Sequence, residues 1–200
     1  MKKSEKTKAN LVGALIKLID QGKKISVTSI SKEAKTAYGT FYRYFNNLEE
    51  VHEAAIVDVA LRMAEDLDKK LQKEKSNLFK VYYSWYIAID LFKDAYSANW
   101  LIDNPSSINK AWILTDPTTF NWLQKAIKQK EEPDLNEENL RHFKMALPYL
   151  HWTYQNALRE LLGGKKPIHV YANLMNSINF LDLPRKTHKK YIQKVTNYIK

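Results

Sequence analysis

Residues 38–44 read Tyr-Gly-Thr-Phe-Tyr-Arg-Tyr, placing three phenols, an alcohol and a guanidinium within seven positions. Such groups grip phosphate oxygens and read base edges, and an arginine that meets guanine through two parallel bonds contributes about 1–3 kcal/mol of discrimination. Phe41 and Phe45 stand four apart and share an apolar face with Ile30 and Leu15, which leaves Tyr38, Thr40, Tyr42, Arg43 and Tyr44 around the opposite surface. Gly39 removes a Cβ where a phosphate backbone or a neighbouring helix would come close. Upstream, Thr28 and the free amides at the start of the preceding helix suit a phosphate. Lys2, Lys3, Lys6 and Lys8 form a basic arm that fits a DNA backbone or a minor groove.

Holding these groups outward requires particular elements. The spacing predicts a first helix from Ser4 or Thr7 to Gln21, with Leu11, Ala14, Leu15, Leu18 and Ile19 on one face and Gly22 ending it. A second helix is expected over 28–35, capped by Ser26 or Thr28, and a third over 37–45. Asn47 with Glu50 reads as a capping box that opens a long helix reaching about residue 74. Two short helices joined by a tight turn behind a third form a helix-turn-helix, which seats its second helix in the DNA major groove. Charge agrees: residues 1–50 carry ten basic side chains against five acidic, and the whole chain is +10. That balance favours a polyanionic partner.

With these residues in place, positions 11–51 resemble the DNA-binding head of the tetracycline-repressor (TetR-like) family of bacterial regulators. Val27, Ile30, Ala34, Gly39, Thr40, Phe41, Tyr42, Tyr44 and Phe45 match its pattern in register, followed by Asn47-Leu48-Glu49-Glu50-Val51 leading into the fourth helix. Three positions depart from it: Lys35 stands at the turn glycine, Ala37 at the serine that caps the third helix, and Leu48 at a lysine that contacts phosphate. The resemblance implies a dimer on a palindromic operator, and a helical body that holds an inducer and moves the fourth helix when it binds.

The rest of the 200-residue chain reads as helical, so the expected class is all-α, with a DNA-binding domain over 1–46 and a ligand-binding and dimerisation domain over 47–200. Asn104-Pro105 and Asp116-Pro117 are expected to bracket short helices. In the helix expected over 137–162, Phe143, Leu147, Leu150, Tyr154, Leu158 and Leu161 form a sustained seam, and Tyr171, Met175 and Ile178 form a second stripe in the next helix. Such seams pack either on the chain's own core or against symmetry copies in a four-helix dimer interface; the dimer is the expectation here. Twofold symmetry matters because two heads must enter successive major grooves about 34–36 Å apart. The middle of the chain is rich in rings. Trp85, Tyr86, Trp100, Trp112, Trp122 and Trp152, with His151 and Gln155 as polar contacts, are the candidate walls of a pocket for a hydrophobic or aromatic effector.

Other chemistries find little support. Cysteine is absent, which excludes disulfides and thiolate ligands. The five histidines are scattered without the i, i+4 spacing of a helical metal site, and no phosphate loop, nucleophile elbow or carboxylate pair is present. No catalytic residue, metal or cofactor is expected. No apolar run approaches the length of a membrane span and the start lacks a hydrophobic signal core, so a cytoplasmic protein without membrane contact is expected. The expected function is a ligand-responsive transcription regulator, most simply a repressor. The alternative is a coactivator on the same scaffold that contacts another protein and binds little or no operator, an alternative sustained by Lys35, Ala37 and Leu48.

Overall fold

The computed structural model describes residues 3–93 and 95–199, less the side chains at 3, 63, 68, 95–97, 105–116 and 151. Among the described residues every regular element is an α-helix, and the chain is all-α. It divides into two compact units, Met1–Met63 and Ala64–Lys200.

The first unit contains α1 (Lys3–Asp20), α2 (Val27–Glu33), α3 (Tyr38–Phe41) and the first part of α4 (Leu48–Lys70). Leu11, Leu15, Ile30, Phe41, Phe45 and Val51 close one core, where each large apolar side chain contributes about 1.5–3 kcal/mol by leaving water. Val51 and Ala55 belong to that core, so the compact unit runs past residue 46, where the sequence divides the roles. Ser26 caps α2 in a full capping box with Ser29. Asn47 Oδ1 accepts from the Glu50 amide at 2.9 Å, whereas the Glu50 carboxylate turns to Asn46, so only half of the expected box forms.

The turn after α2 closes as a Schellman motif: the Lys35 amide donates to Lys32 O at 3.1 Å and the Thr36 amide to Ser31 O at 2.9 Å. Closure places Lys35 at φ 55, the left-handed backbone that glycine adopts most cheaply. Ala37 is the N-cap of α3 with no side-chain bond, and Thr36 does not take over, since its hydroxyl faces Ser31 O at 3.4 Å. α3 is shorter than the expected 37–45. Beyond Phe41 the amides of Arg43 and Tyr44 bond three residues back, to Thr40 and Phe41, which tightens the chain into a turn.

The second unit contains α5 (Asn77–Leu91), α6 (Ala95–Asp103), α7 (Pro105–Lys128), α8 (Glu137–Leu162), α9 (Pro167–Ser177) and α10 (Arg185–Ile199). α5 lies at its centre, packed by α7, α9 and α10. Its N-terminus is held by the Glu131 carboxylate, which accepts from the amides of Asn77 at 2.7 Å and Leu78 at 3.0 Å, an anion at the positive end of the helix dipole. Phe180, between α9 and α10, packs among Tyr82, Trp85 and Phe143 at ring separations of 4.9–6.0 Å. The expected break at Asp116-Pro117 does not occur: Pro117 lies inside α7 and Pro148 inside α8. Each proline removes one backbone donor, and the hydrogen bonds of the flanking turns carry the helix past it.

Candidate functional site

On the first unit, burial of Phe41 and Phe45 fixes which side of α3 faces solvent. Tyr38 and Tyr42 are 54% and 48% exposed, unusual for rings of their size, and Arg43 stands exposed on the turn just beyond. The two phenols are coupled: their hydroxyls lie 3.1 Å apart and their rings meet edge to face at 5.5 Å. Phe41 supports Tyr42 from the core side in a second edge-to-face contact at 5.4 Å. Tyr42 is thereby held between a buried ring and an exposed one, with its hydroxyl outward. The bond from Tyr38 raises the Tyr42 pKa above the ordinary phenol value, so at neutral pH the hydroxyl is a neutral donor and acceptor.

Thr40 is half-buried beside these rings and Thr28 is exposed in the first turn of α2. A Cβ built on Gly39 would meet nothing within 4 Å. No neighbouring helix of its own unit therefore comes close enough to require glycine at this position. Tyr44 is less open than Tyr38 and Tyr42. It is half-buried, and hydrogen bonds from Ser4 and then Thr7 hold its hydroxyl below the ordinary phenol pKa. Its hydroxyl thus lies beside the start of α1. Lys17 is paired with Glu33, which also lowers the Glu33 pKa, and Lys8 lies 5.4 Å over the Phe45 ring. Arg43, Lys32 and Lys35 have no ion pair among the described residues.

In the second unit the two expected surfaces are rearranged. Phe143, Leu150, Tyr154, Leu158, Leu161, Tyr171, Met175 and Ile178 are buried within their own chain, and Leu147 is half-buried. They form core, not a surface open to a partner, because α9 and Phe180 cover that side of α8. The side of α8 left to solvent carries Met145, Tyr149 and Trp152, exposed by 82%, 55% and 59%, with the two rings stacked 6.0 Å apart. Next to it a groove of about 480 Å³ runs between α8 and α9, walled by Thr153, Asn156, Glu160, Asn173, Asn176 and Ser177.

The eight candidate effector residues do not gather around that groove. Trp152 lies on the outer surface, the opposite of a pocket wall. Trp85 and Trp122 are buried, Tyr86, Trp100 and Gln155 are half-buried, and the side chains of Trp112 and His151 lie outside the described ones. Sequence reading, which placed Tyr171 in the dimer stripe, did not foresee the state of its hydroxyl. It is buried with no hydrogen-bond partner among the described residues, and its ring meets Tyr86 edge to face at 6.0 Å. Burial drives its pKa well above the ordinary phenol value. An unpaired buried donor costs about 1–3 kcal/mol, and an acceptor brought from outside would recover that loss. Nothing in the sequence marks Tyr171 apart from the other eleven tyrosines.

Among the described residues no group of three or more acidic or histidine side chains is placed to hold a metal ion, and no helix is long and apolar enough to cross a membrane.

No protein-family model matches the sequence, and no curated protein matches it. The structure is similar to the crystal structure of RolR in complex with resorcinol, with a TM-score of 0.71, 16% sequence identity, and coverage of 96% of this chain and 95% of that chain. The chain shares that structure's fold over nearly its whole length, and this fold is TetR-like.

Proposed function

We propose that the protein is a ligand-responsive transcription regulator that binds a palindromic operator as a homodimer and releases it when a small effector binds, so that it acts as a repressor. The observation that carries the reading is the exposed face Tyr38–Thr40–Tyr42–Arg43, preorganised on a closed core, with free cations beside it. Among the described residues the Tyr38 and Tyr42 hydroxyls bond only to each other and stay open to solvent, and with the Arg43 guanidinium they suit phosphates and base edges. Residues 1–46 serve DNA, and 47–200 serve the effector and the second copy.

Trp152, Tyr149 and Met145 support the dimer: apolar side chains this exposed and this close together suit an interface between copies. Tyr171 and the edge of Tyr86 support an effector that carries a ring and a hydrogen-bond acceptor. The resorcinol of RolR, a benzene ring with two hydroxyls, is of that chemical kind. α4 continues from one unit into the next and is the covalent route by which a ligand held in the second alters the first.

A mobility-shift titration with DNA from upstream of the protein's own coding region, at two salt concentrations, tests the reading. Sequence-selective binding that weakens with salt supports the regulator. No binding at low salt rejects it and favours a coactivator that works through protein contacts.

A further inference from the structure

Lys35 holds a conformation that its own side chain disfavours. At φ 55 an L-residue with a Cβ is about 1–2 kcal/mol worse than glycine, and the Schellman closure of α2 admits no other backbone there. The side chain is exposed and forms no ion pair among the described residues. Glu33, two residues away, is ion-paired with Lys17 and feels the Lys35 charge only as the smallest of its neighbours' contributions. No ion pair or buried packing of the Lys35 side chain within the described residues therefore offsets the strain. What lysine adds over glycine at this position is one mobile positive charge, carried on the turn that leads within three residues to Tyr38.

Resting on the DNA-binding reading above, we propose that Lys35 contacts a DNA phosphate beside the one-turn helix α3. An ammonium on a flexible stem suits this task, because a phosphate oxygen needs charge and reach more than fixed geometry. The turn holds the root of that stem rigidly, since the amides of residues 35 and 36 are both bonded back into α2. Lys32, one turn earlier on α2, is exposed and likewise unpaired, and extends the same positive edge. The competing explanation is purely structural: a cation near the C-terminus of α2 favours the negative end of the helix dipole.

The chain supplies its own control. Lys130, in the second unit, occupies the same left-handed backbone at φ 52, in a turn closed by the amides of Lys130 and Glu131 on Ile127 and Ala126. The experiment compares wild type, Lys35→Gly, Lys35→Gln and Lys130→Gly by thermal melts and by binding to a random-sequence duplex, long enough for two half-sites, across about 50–200 mM salt. Both glycine variants are expected to melt higher. Only the two Lys35 variants are expected to lose affinity, with the slope of log K against log salt shallower by about 0.9 for each head bound. At about 0.1 M salt that corresponds to roughly eightfold weaker binding per head. Lys35→Gln with wild-type slope and affinity would overturn the proposal and leave only the dipole role. A wild-type protein with no salt-dependent binding would instead reject the DNA reading itself, a different result from the same titration.

Discussion

Replacing Trp152 by alanine should split the dimer while leaving each copy folded. The side chain is 59% exposed, and an indole presents about 250 Å² in all, so roughly 150 Å² is available for a partner to cover. At about 25 cal/mol per Å², full burial would contribute about 3–4 kcal/mol, and alanine would forfeit most of it, on the order of 2–3 kcal/mol per copy. A twofold interface uses the residue twice, so the dissociation constant should rise by about three orders of magnitude or more. Sedimentation equilibrium across a range of protein concentration reads this directly, with circular dichroism as the check on folding. Phe143→Ala is the informative counterpart. Phe143 is 1% exposed and packs on Phe120 and Phe180, so its loss should cost about 3–5 kcal/mol of stability within the monomer. If Trp152→Ala stayed fully dimeric at low concentration, the exposed side of α8 would not be the interface.

Arg43→Ala and Tyr42→Ala should each weaken operator binding by about 1–3 kcal/mol in a mobility-shift assay, with the melting temperature nearly unchanged for Arg43 and slightly lowered for Tyr42, which packs on Phe41 and Tyr38. Gly39→Ala should melt at the wild-type temperature or above it, since the new methyl meets nothing, yet bind DNA less well; unchanged binding would show that no backbone comes close there. Stability should fall on acidification. His188 is buried, donates from Nε2 to Met175 O at 2.7 Å and accepts from the Tyr82 hydroxyl at Nδ1, and burial holds its pKa below the ordinary 6.5. The unfolded chain then takes up protons that the folded one refuses, so stability is full above about 6.5 and declines as pH falls below it. His52, buried with its pKa also lowered, adds in the same direction, and thermal melts at pH 7.5 and 5.5 of wild type and His188→Gln would reveal the His188 share as a smaller loss in the variant.

The head was legible from the sequence because its signals agree. Phe41 and Phe45 mark the buried side, Ser26 and Asn47 mark helix starts, and the hydroxyls fall on the remaining face. Lys35 was legible as a departure, and the positive φ found there follows from the turn that α2 must make. The surroundings of Tyr44 were not legible, because its position on the turn does not say that Ser4 and Thr7 lie within reach of its hydroxyl.

α8 shows a different limit. Phe143, Leu147, Leu150 and Tyr154 form one apolar stripe, and Met145, Tyr149 and Trp152 form another on the far side, with the same three-and-four spacing. Periodicity alone cannot rank them. The neighbours decide, since α9 and Phe180 cover the first stripe and leave the second to solvent. The aromatic residues illustrate a related point: rings such as Trp85 and Trp122 fill the core of the second unit as readily as they would line a cavity. The unpaired Tyr171 hydroxyl depends on what surrounds it, and its surroundings come from several helices far apart in the sequence.

Selection from a pool of random duplex DNA tests the central claim most directly, because it presupposes no operator. Recovered sequences should converge on an inverted repeat with half-site centres about one or more helical turns apart, and Arg43→Ala should relax the preference at a guanine within each half. Failure of the wild-type protein to enrich any sequence, or enrichment that Arg43→Ala and Tyr42→Ala both leave unaltered, would contradict it.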